Sequence, residues 1–151
     1  MTLTSFAEPR LIVLDSNILM RCVLGWQVPR LLDAYHGQIA FLSPEQAFEE
    51  AARYVPAVLV TRGASQAAAQ TKARRALLDI ALVVEAITEV TYRDEEPRAH
   101  LRIDKRDPDD WHCLALSLHY ACPIWTEVQD FFGTGVPTWT TDRVELYFNN
   151  Q

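Results

Sequence analysis

The sequence is short of cysteine, of positive charge and of long apolar runs. Its three cysteines, Cys22, Cys113 and Cys122, form no CxxC pair in 151 residues, which excludes a disulfide framework and a zinc ribbon. Cys113 and Cys122 stand in apolar surroundings and read as reduced core residues. No apolar stretch approaches the roughly 20 residues of a membrane span. Residues 1–8 lack a basic segment followed by an apolar one, so no signal peptide is expected and the cytoplasm is the expected compartment. Neither GxSxG nor GxxxxGK[ST] occurs, which leaves serine-hydrolase and P-loop readings without support. Lys and Arg number 14 against 20 Asp and Glu, a net charge of −6. Such a chain is not steered to nucleic acid over long range, so any contact must come from local basic patches or bound cations.

What is present suits one α/β domain. The hydrophobic fraction is 49%, enough for a core without staples. We expect a tail over residues 1–10 and a single domain over 11–151. Leu11-Ile12-Val13-Leu14 is apolar without alternation, as in a strand buried on both faces of a parallel sheet. Asp15-Ser16-Asn17 then favour a helix start, and Ile18, Leu19, Cys22 and Val23 follow at helical spacing. Residues 29–35 read as a second helix and 39–42 as a second strand. Ser43-Pro44-Glu45-Gln46 has the shape of a capping box, predicting a helix to about Tyr54 and a break or kink at Pro56. An Ala-rich helix is expected over 65–82, a strand around Ile87, and helices over 94–103 and 110–120. The second of these carries a stripe of Cys113, Leu114, Ser117 and Leu118. Short strands over 123–125 and 136–140 and a helix from Asp142 complete the pattern. Strands alternating with helices predict a parallel sheet covered on both faces, with ligands at the carboxyl ends of its strands.

Acidic residues fall at those ends. Asp15 follows the first strand, Glu49 and Glu50 lie on the helix after the second, Asp107, Asp109 and Asp110 precede the helix before the fourth, and Asp130 follows the fourth. Singly, each is as well explained as a helix cap or a solvated residue. Together they repel unless a divalent cation neutralises them, and oxygen ligands suit Mg²⁺ or Mn²⁺.

Three segments carry a family resemblance. Leu14-Asp15-Ser16-Asn17-Ile18-Leu19 resembles the L-D-T-N-I-L opening of PIN domains. Arg106-Asp107-Pro108-Asp109-Asp110 with Cys113-Leu114-Ala115-Leu116-Ser117 is similar to their D-P-D-D segment and small-residue helix. Trp125-Thr126-Glu127-Val128-Gln129-Asp130-Phe131 resembles their T-x-D-x-D-F turn. The resemblance implies a PIN-like three-layer α/β/α sandwich with a short, mostly parallel sheet. It further implies a Mg²⁺- or Mn²⁺-dependent endoribonuclease of the kind found in VapC-type toxins. An RNA substrate, a cognate antitoxin and a homodimer are the partners it suggests, with no membrane. Asp15, Asp110 and Asp130 match the family's metal-site positions, with one helix glutamate as the fourth and Asp107 as an outer member. Ala47, Ala51 and Tyr54 mark the buried face of that helix, which favours Glu50, with Glu49 as the alternative. Val128 stands where the family often has an acidic or amide residue, which removes one possible ligand.

Other residues carry weaker signals. Ser16 and Asn17 cap the first helix or orient Asp15, and Thr126 can orient Asp15 from the fourth strand. Lys105 and Arg106 adjoin the acidic loop and are candidate phosphate contacts, whereas Lys72, Arg74 and Arg75 read as solvated helix charges. His112 and His119 are too far apart for a two-histidine metal site. Trp111 and Trp125 read as packing residues, and Trp26 as an exposed marker or a loop wall. The rival to a nuclease is a module of the same fold that binds RNA or protein without cleaving. A receiver-type phosphotransfer domain ranks below both, because no lysine follows Lys105.

Overall fold

In the computed structural model, residues 8–103 and 110–150 are described. The apolar run after Arg10 is the central strand: β1 (Arg10–Leu14) has Ile12, Val13 and Leu14 entirely buried. It pairs in parallel with β2 (Ile39–Pro44) on one side and β4 (Ile124–Trp125) on the other. β3 (Val84–Ile87) and β5 (Thr138–Trp139) extend the sheet to the order β3-β2-β1-β4-β5, parallel throughout.

Alternation along these strands feeds two cores. Ile12, Leu14, Phe41 and Trp125 face α1 (Ser16–Leu24), α2 (Gln27–Tyr35) and α8 (Val144–Asn149). Val13, Leu42 and Ile124 face α6 (Glu96–Ile103) and α7 (Trp111–Tyr120). α3 (Glu45–Thr61) and α4 (Gln66–Ile80) close the first face through Ala51, Leu77 and Ile80 and add a smaller cluster around Val55 and Leu59. Helices on both faces of a parallel sheet make the expected three-layer α/β/α sandwich.

Four local expectations need correction. Ser43 does not cap α3. It lies inside β2, fully buried, and its hydroxyl donates to the Leu14 carbonyl at 2.7 Å. Pairing of Ser43 with Ala86 and of Pro44 with Ile87 extends the strand, and this outcompetes the local cap. Pro44 becomes the N-cap, with no side-chain hydrogen bond. Nor does Pro56 end α3, which runs on to Thr61. The hydrogen bond a proline forfeits belongs to the carbonyl four residues back; Ala52 is exposed, so water can satisfy it. A short α5 (Glu89–Tyr92) and a 3-10 turn (Arg93–Glu95) precede α6, where one helix was expected. Finally, α7 is buried on nearly every side, with Trp111 and the run from Cys113 to Ser117 all inside, because sheet and α6 both press on it. Its end is set by Ala121 in the left-handed region (φ 53°), with the Cys122 N–H returning to the Ser117 carbonyl.

Candidate functional site

A wholly parallel sheet brings every strand's carboxyl end to one edge, and Asp15 and Thr126 are the first residues past two adjacent strands there. Asp15 caps α1: one carboxylate oxygen accepts from the Ile18 N–H at 3.0 Å. The other accepts from the Thr126 hydroxyl, whose oxygen in turn accepts from the Val128 N–H at 3.1 Å. Asp15 is therefore both a helix cap and a carboxylate fixed at both oxygens. It is only 5% exposed, and its pKa is pushed up to about 6. Loss of water around the charge is the main cause; the Glu50 carboxylate adds to it. The Thr126 hydroxyl and the Ile18 and Asn17 backbone N–H groups pull the other way.

Two more carboxylates lie within electrostatic reach of this region. Glu50, half-buried on α3, accepts from Gln46 Nε2 at 3.3 Å. Asp110 is the N-cap of α7, with its Oδ2 shut away from solvent. Cys113, three residues along α7 from Asp110, is buried in the core. Its thiol is held far above the ordinary range, first by burial and then by the charges of Asp15, Asp110 and Glu50. One buried sulfur thus feels three carboxylates drawn from β1, α3 and α7. Sequence reading had treated Cys113 as generic core; its position one helical turn after Asp110 is the signal that it comes under the charges of an acidic notch.

The remaining candidates distribute unevenly. Glu49 is exposed and lines a surface groove with Ala52, Gln70 and Ala86, and its charge is not among those acting on Asp15. Asp130 is half-buried in a 3-10 turn (Gln129–Phe131) after β4, and it is not among the charges acting on Asp15 or Cys113. The Asn17 side chain turns along α1 to accept from Arg21 Nε at 3.1 Å, so only its backbone N–H serves Asp15. Ser16 is half-buried as the first residue of α1. Val128 is partly buried and packs its side chain against the core on the α6 and α7 side of the sheet. Lys105, Arg106 and Asp107 lie outside the described residues.

Whether these groups suit a cation is decided by donor chemistry. The converging donors are carboxylate oxygens, as Mg²⁺ or Mn²⁺ requires. The one sulfur present is held protonated, so it is no thiolate ligand for a softer metal. Dehydration and mutual repulsion at Asp15 are what a bound cation would relieve. The residues fit such an ion, although among the described residues no three His, Cys, Asp or Glu side chains already close to ligand spacing.

Comparison with known proteins agrees with this architecture. A sequence model of the PIN domain matches residues 13–149. Comparison with curated protein sequences gives no match. Among solved structures, the chain is similar to one in a crystal structure of VapBC2 from Rickettsia felis bound to a DNA fragment from their promoter. The TM-score is 0.65 at 9% identity, covering 86% of this chain and 98% of that one. At such identity the likeness speaks for the fold alone.

Proposed function

The chain belongs to the PIN-domain family, and from that premise we propose that it is a nuclease, a divalent-metal-dependent endoribonuclease hydrolysing RNA phosphodiesters in the cytoplasm. The observation that carries this reading is a dehydrated Asp15, fixed at both oxygens just past β1, with the charge of Glu50 acting on it and those of Asp15, Glu50 and Asp110 acting on the buried Cys113. In this proposal Asp15, Glu50 and Asp110 hold Mg²⁺ or Mn²⁺, with Asp130 as the fourth carboxylate. A divalent ion there would supply positive charge against the phosphate and would activate water. The protein's own part is orientation. Thr126 and the Ile18 N–H fix both oxygens of Asp15, and Gln46 restrains Glu50, so the acidic groups need little rearrangement. No side chain serves as a covalent nucleophile. Lys105 and Arg106 belong to this reading as phosphate contacts, and Asp107 as an outer acid.

The similarity to the VapBC2 structure supports a further step, in which the chain is the toxin of a toxin–antitoxin pair, with a cognate antitoxin and a homodimeric state. One observation favours a second reading. With Val128 packed against the core and the Glu127 carboxylate accepting from the Thr141 N–H, the turn after β4 leaves Asp130 as its remaining acid. A protein so equipped would bind RNA or protein without cutting.

The test is direct. Purified protein should degrade single-stranded RNA with Mg²⁺ or Mn²⁺ and stop in excess EDTA, and Asp15→Asn should abolish cleavage. Undiminished cleavage in EDTA would sink the metal mechanism. Tight RNA or protein binding with no cleavage in either metal would establish the second reading.

A further inference from the structure

The cleft beside the acidic notch has the opposite character. About 460 Å³ in volume, it is lined by Asn17, Arg21, Leu24, Trp26, Arg62 and Thr141 among others, and, among the described residues, by no carboxylate. It follows α1 from Asn17, two residues past Asp15, to Trp26 beyond the helix's far end. At about 1.5 Å per residue that path is roughly 13 Å, the length of about four nucleotides stacked at 3.4 Å. Thr141, just past β5, opens the cleft on the same carboxyl edge as Asp15.

Its polar groups are already in position. Arg21 Nε rests on Asn17 Oδ1 at 3.1 Å, and Arg62 Nη1 on the Leu24 carbonyl at 3.0 Å. Both acceptors are neutral, and among the described residues neither guanidinium takes part in an ion pair. Trp26 is 74% exposed, with the Arg30 guanidinium 6.0 Å from its ring centre, so most of the indole stays open to solvent. Two unneutralised guanidiniums beside an open aromatic plane are what a single strand engages, with phosphates on the charges and a base on the ring. An acidic peptide would use the arginines but would have no need of the ring.

We propose that this cleft is a stacking subsite for single-stranded RNA. Trp26 stacks one base, and Arg21 and Arg62 hold phosphates of the segment that leads to Asp15. The inference rests on the reading of RNA as substrate, and its test is separable from that reading. Full-length protein in EDTA is titrated with a 12-nucleotide oligoadenylate while tryptophan fluorescence is followed. Trp111 and Trp125 are buried and Trp139 half-buried, so the signal lost in Trp26→Phe belongs to Trp26. Quenching is expected in the wild type; affinities, read for every variant by the anisotropy of a fluorescein-labelled copy of the oligoadenylate, should be about tenfold weaker in Trp26→Ala. Arg21→Ala and Arg62→Ala should each lower the slope of log K against log salt by about 0.7, and Arg→Lys at either place should restore it. Circular dichroism checks the fold of each variant.

Quenching without any cleavage in Mn²⁺ would keep the subsite and remove the nuclease. Cleavage with affinity and salt slope unchanged by all three alanine variants would overturn the subsite and keep the nuclease. Quenching by oligoglutamate as strong as by RNA would also overturn it, marking the cleft as a dock for acidic peptides.

Discussion

Two regions flank the start of α1 and treat charge in opposite ways. On one side Asp15 is buried in an acidic notch with the charge of Glu50 acting on it and that of Asp110 nearby on Cys113, and Asp15 is dehydrated enough to hold its proton to about pH 6. On the other, Arg21 and Arg62 line an open cleft free of carboxylates, each resting on a neutral acceptor. The notch stores unfavourable energy in the protein alone; the cleft stores almost none, since its charges remain hydrated. A net charge of −6 therefore says little about either. The difference suggests a division of labour, a strained site that gains from a cation and a relaxed one that meets a polyanion.

The largest expected effect breaks the notch. Asp15→Asn keeps an oxygen for the Ile18 N–H but removes the charge. In our reading, cleavage falls at least about 100-fold, since losing even an outer-shell partner of a metal ligand costs 10- to 100-fold. Stability should move the other way. The folded-state pKa of about 6 lies above the ordinary 3.8, so the folded protein prefers neutral Asp15. That contribution to stability is fully present below pH 3.8 and is lost as pH rises through 6. The shift amounts to about 3 kcal/mol at pH 7. In EDTA, urea unfolding should thus find Asp15→Asn more stable than wild type by about 2 to 3 kcal/mol at pH 7.5 and nearly equal at pH 4. Mn²⁺ should stabilise the wild type and leave the variant unmoved. A variant less stable at pH 7.5 would mean that the notch is not strained.

Next come the two neighbouring glutamates, which differ in what they face. Glu50→Gln removes the repulsion on Asp15 and one proposed ligand, so cleavage should drop on the order of 100-fold while metal-free stability rises slightly. Glu49→Gln should leave both within about twofold, as for most exposed positions. Equal losses in the two variants would place the notch elsewhere on α3.

Thr126 tests positioning apart from charge. Thr126→Val keeps the shape but removes the hydroxyl that lowers the Asp15 pKa. Cleavage should fall about 10-fold. At sub-saturating Mn²⁺ the acid limb of its pH profile should move upward, because Asp15 must ionise to hold a cation. Thr126→Ser should restore both. A lower rate with an unmoved acid limb would make Thr126 a packing residue only.

These contrasts mark where sequence was enough and where it stopped. The central strand and Asp15 were legible because an unbroken apolar run ending at an acid needs no distant partner for its meaning. Helical phase favoured Glu50 and kept Glu49 as the alternative, since Ala47 and Ala51 define the buried face of α3; the structure has Glu50 half-buried and Glu49 exposed. Ser43 was misread because its partner, the Leu14 carbonyl, lies 29 residues away across the sheet. The cleft was invisible for the same reason: Trp26 and Arg62 meet only when α3 folds back past the end of α1. Local chemistry shows in a window of a few residues; sites assembled from distant elements do not.

Val128 gives the smallest effect and the sharpest check on that limit. By family resemblance an acid at this place adds a ligand, so Val128→Asp might be thought to improve a weak enzyme. The packing argues otherwise. Val128 packs against the second hydrophobic core, and its N–H already supports the Thr126 hydroxyl. An aspartate would lose those apolar contacts and carry charge to the edge of a hydrophobic cluster. We expect thermal or urea unfolding to report a loss of about 1 to 2 kcal/mol. Cleavage at saturating Mn²⁺ should not rise. A rate increase of severalfold would show that the turn after β4 repacks around a cation, joining Asp130 to the notch that Asp15, Glu50 and Asp110 now form without it.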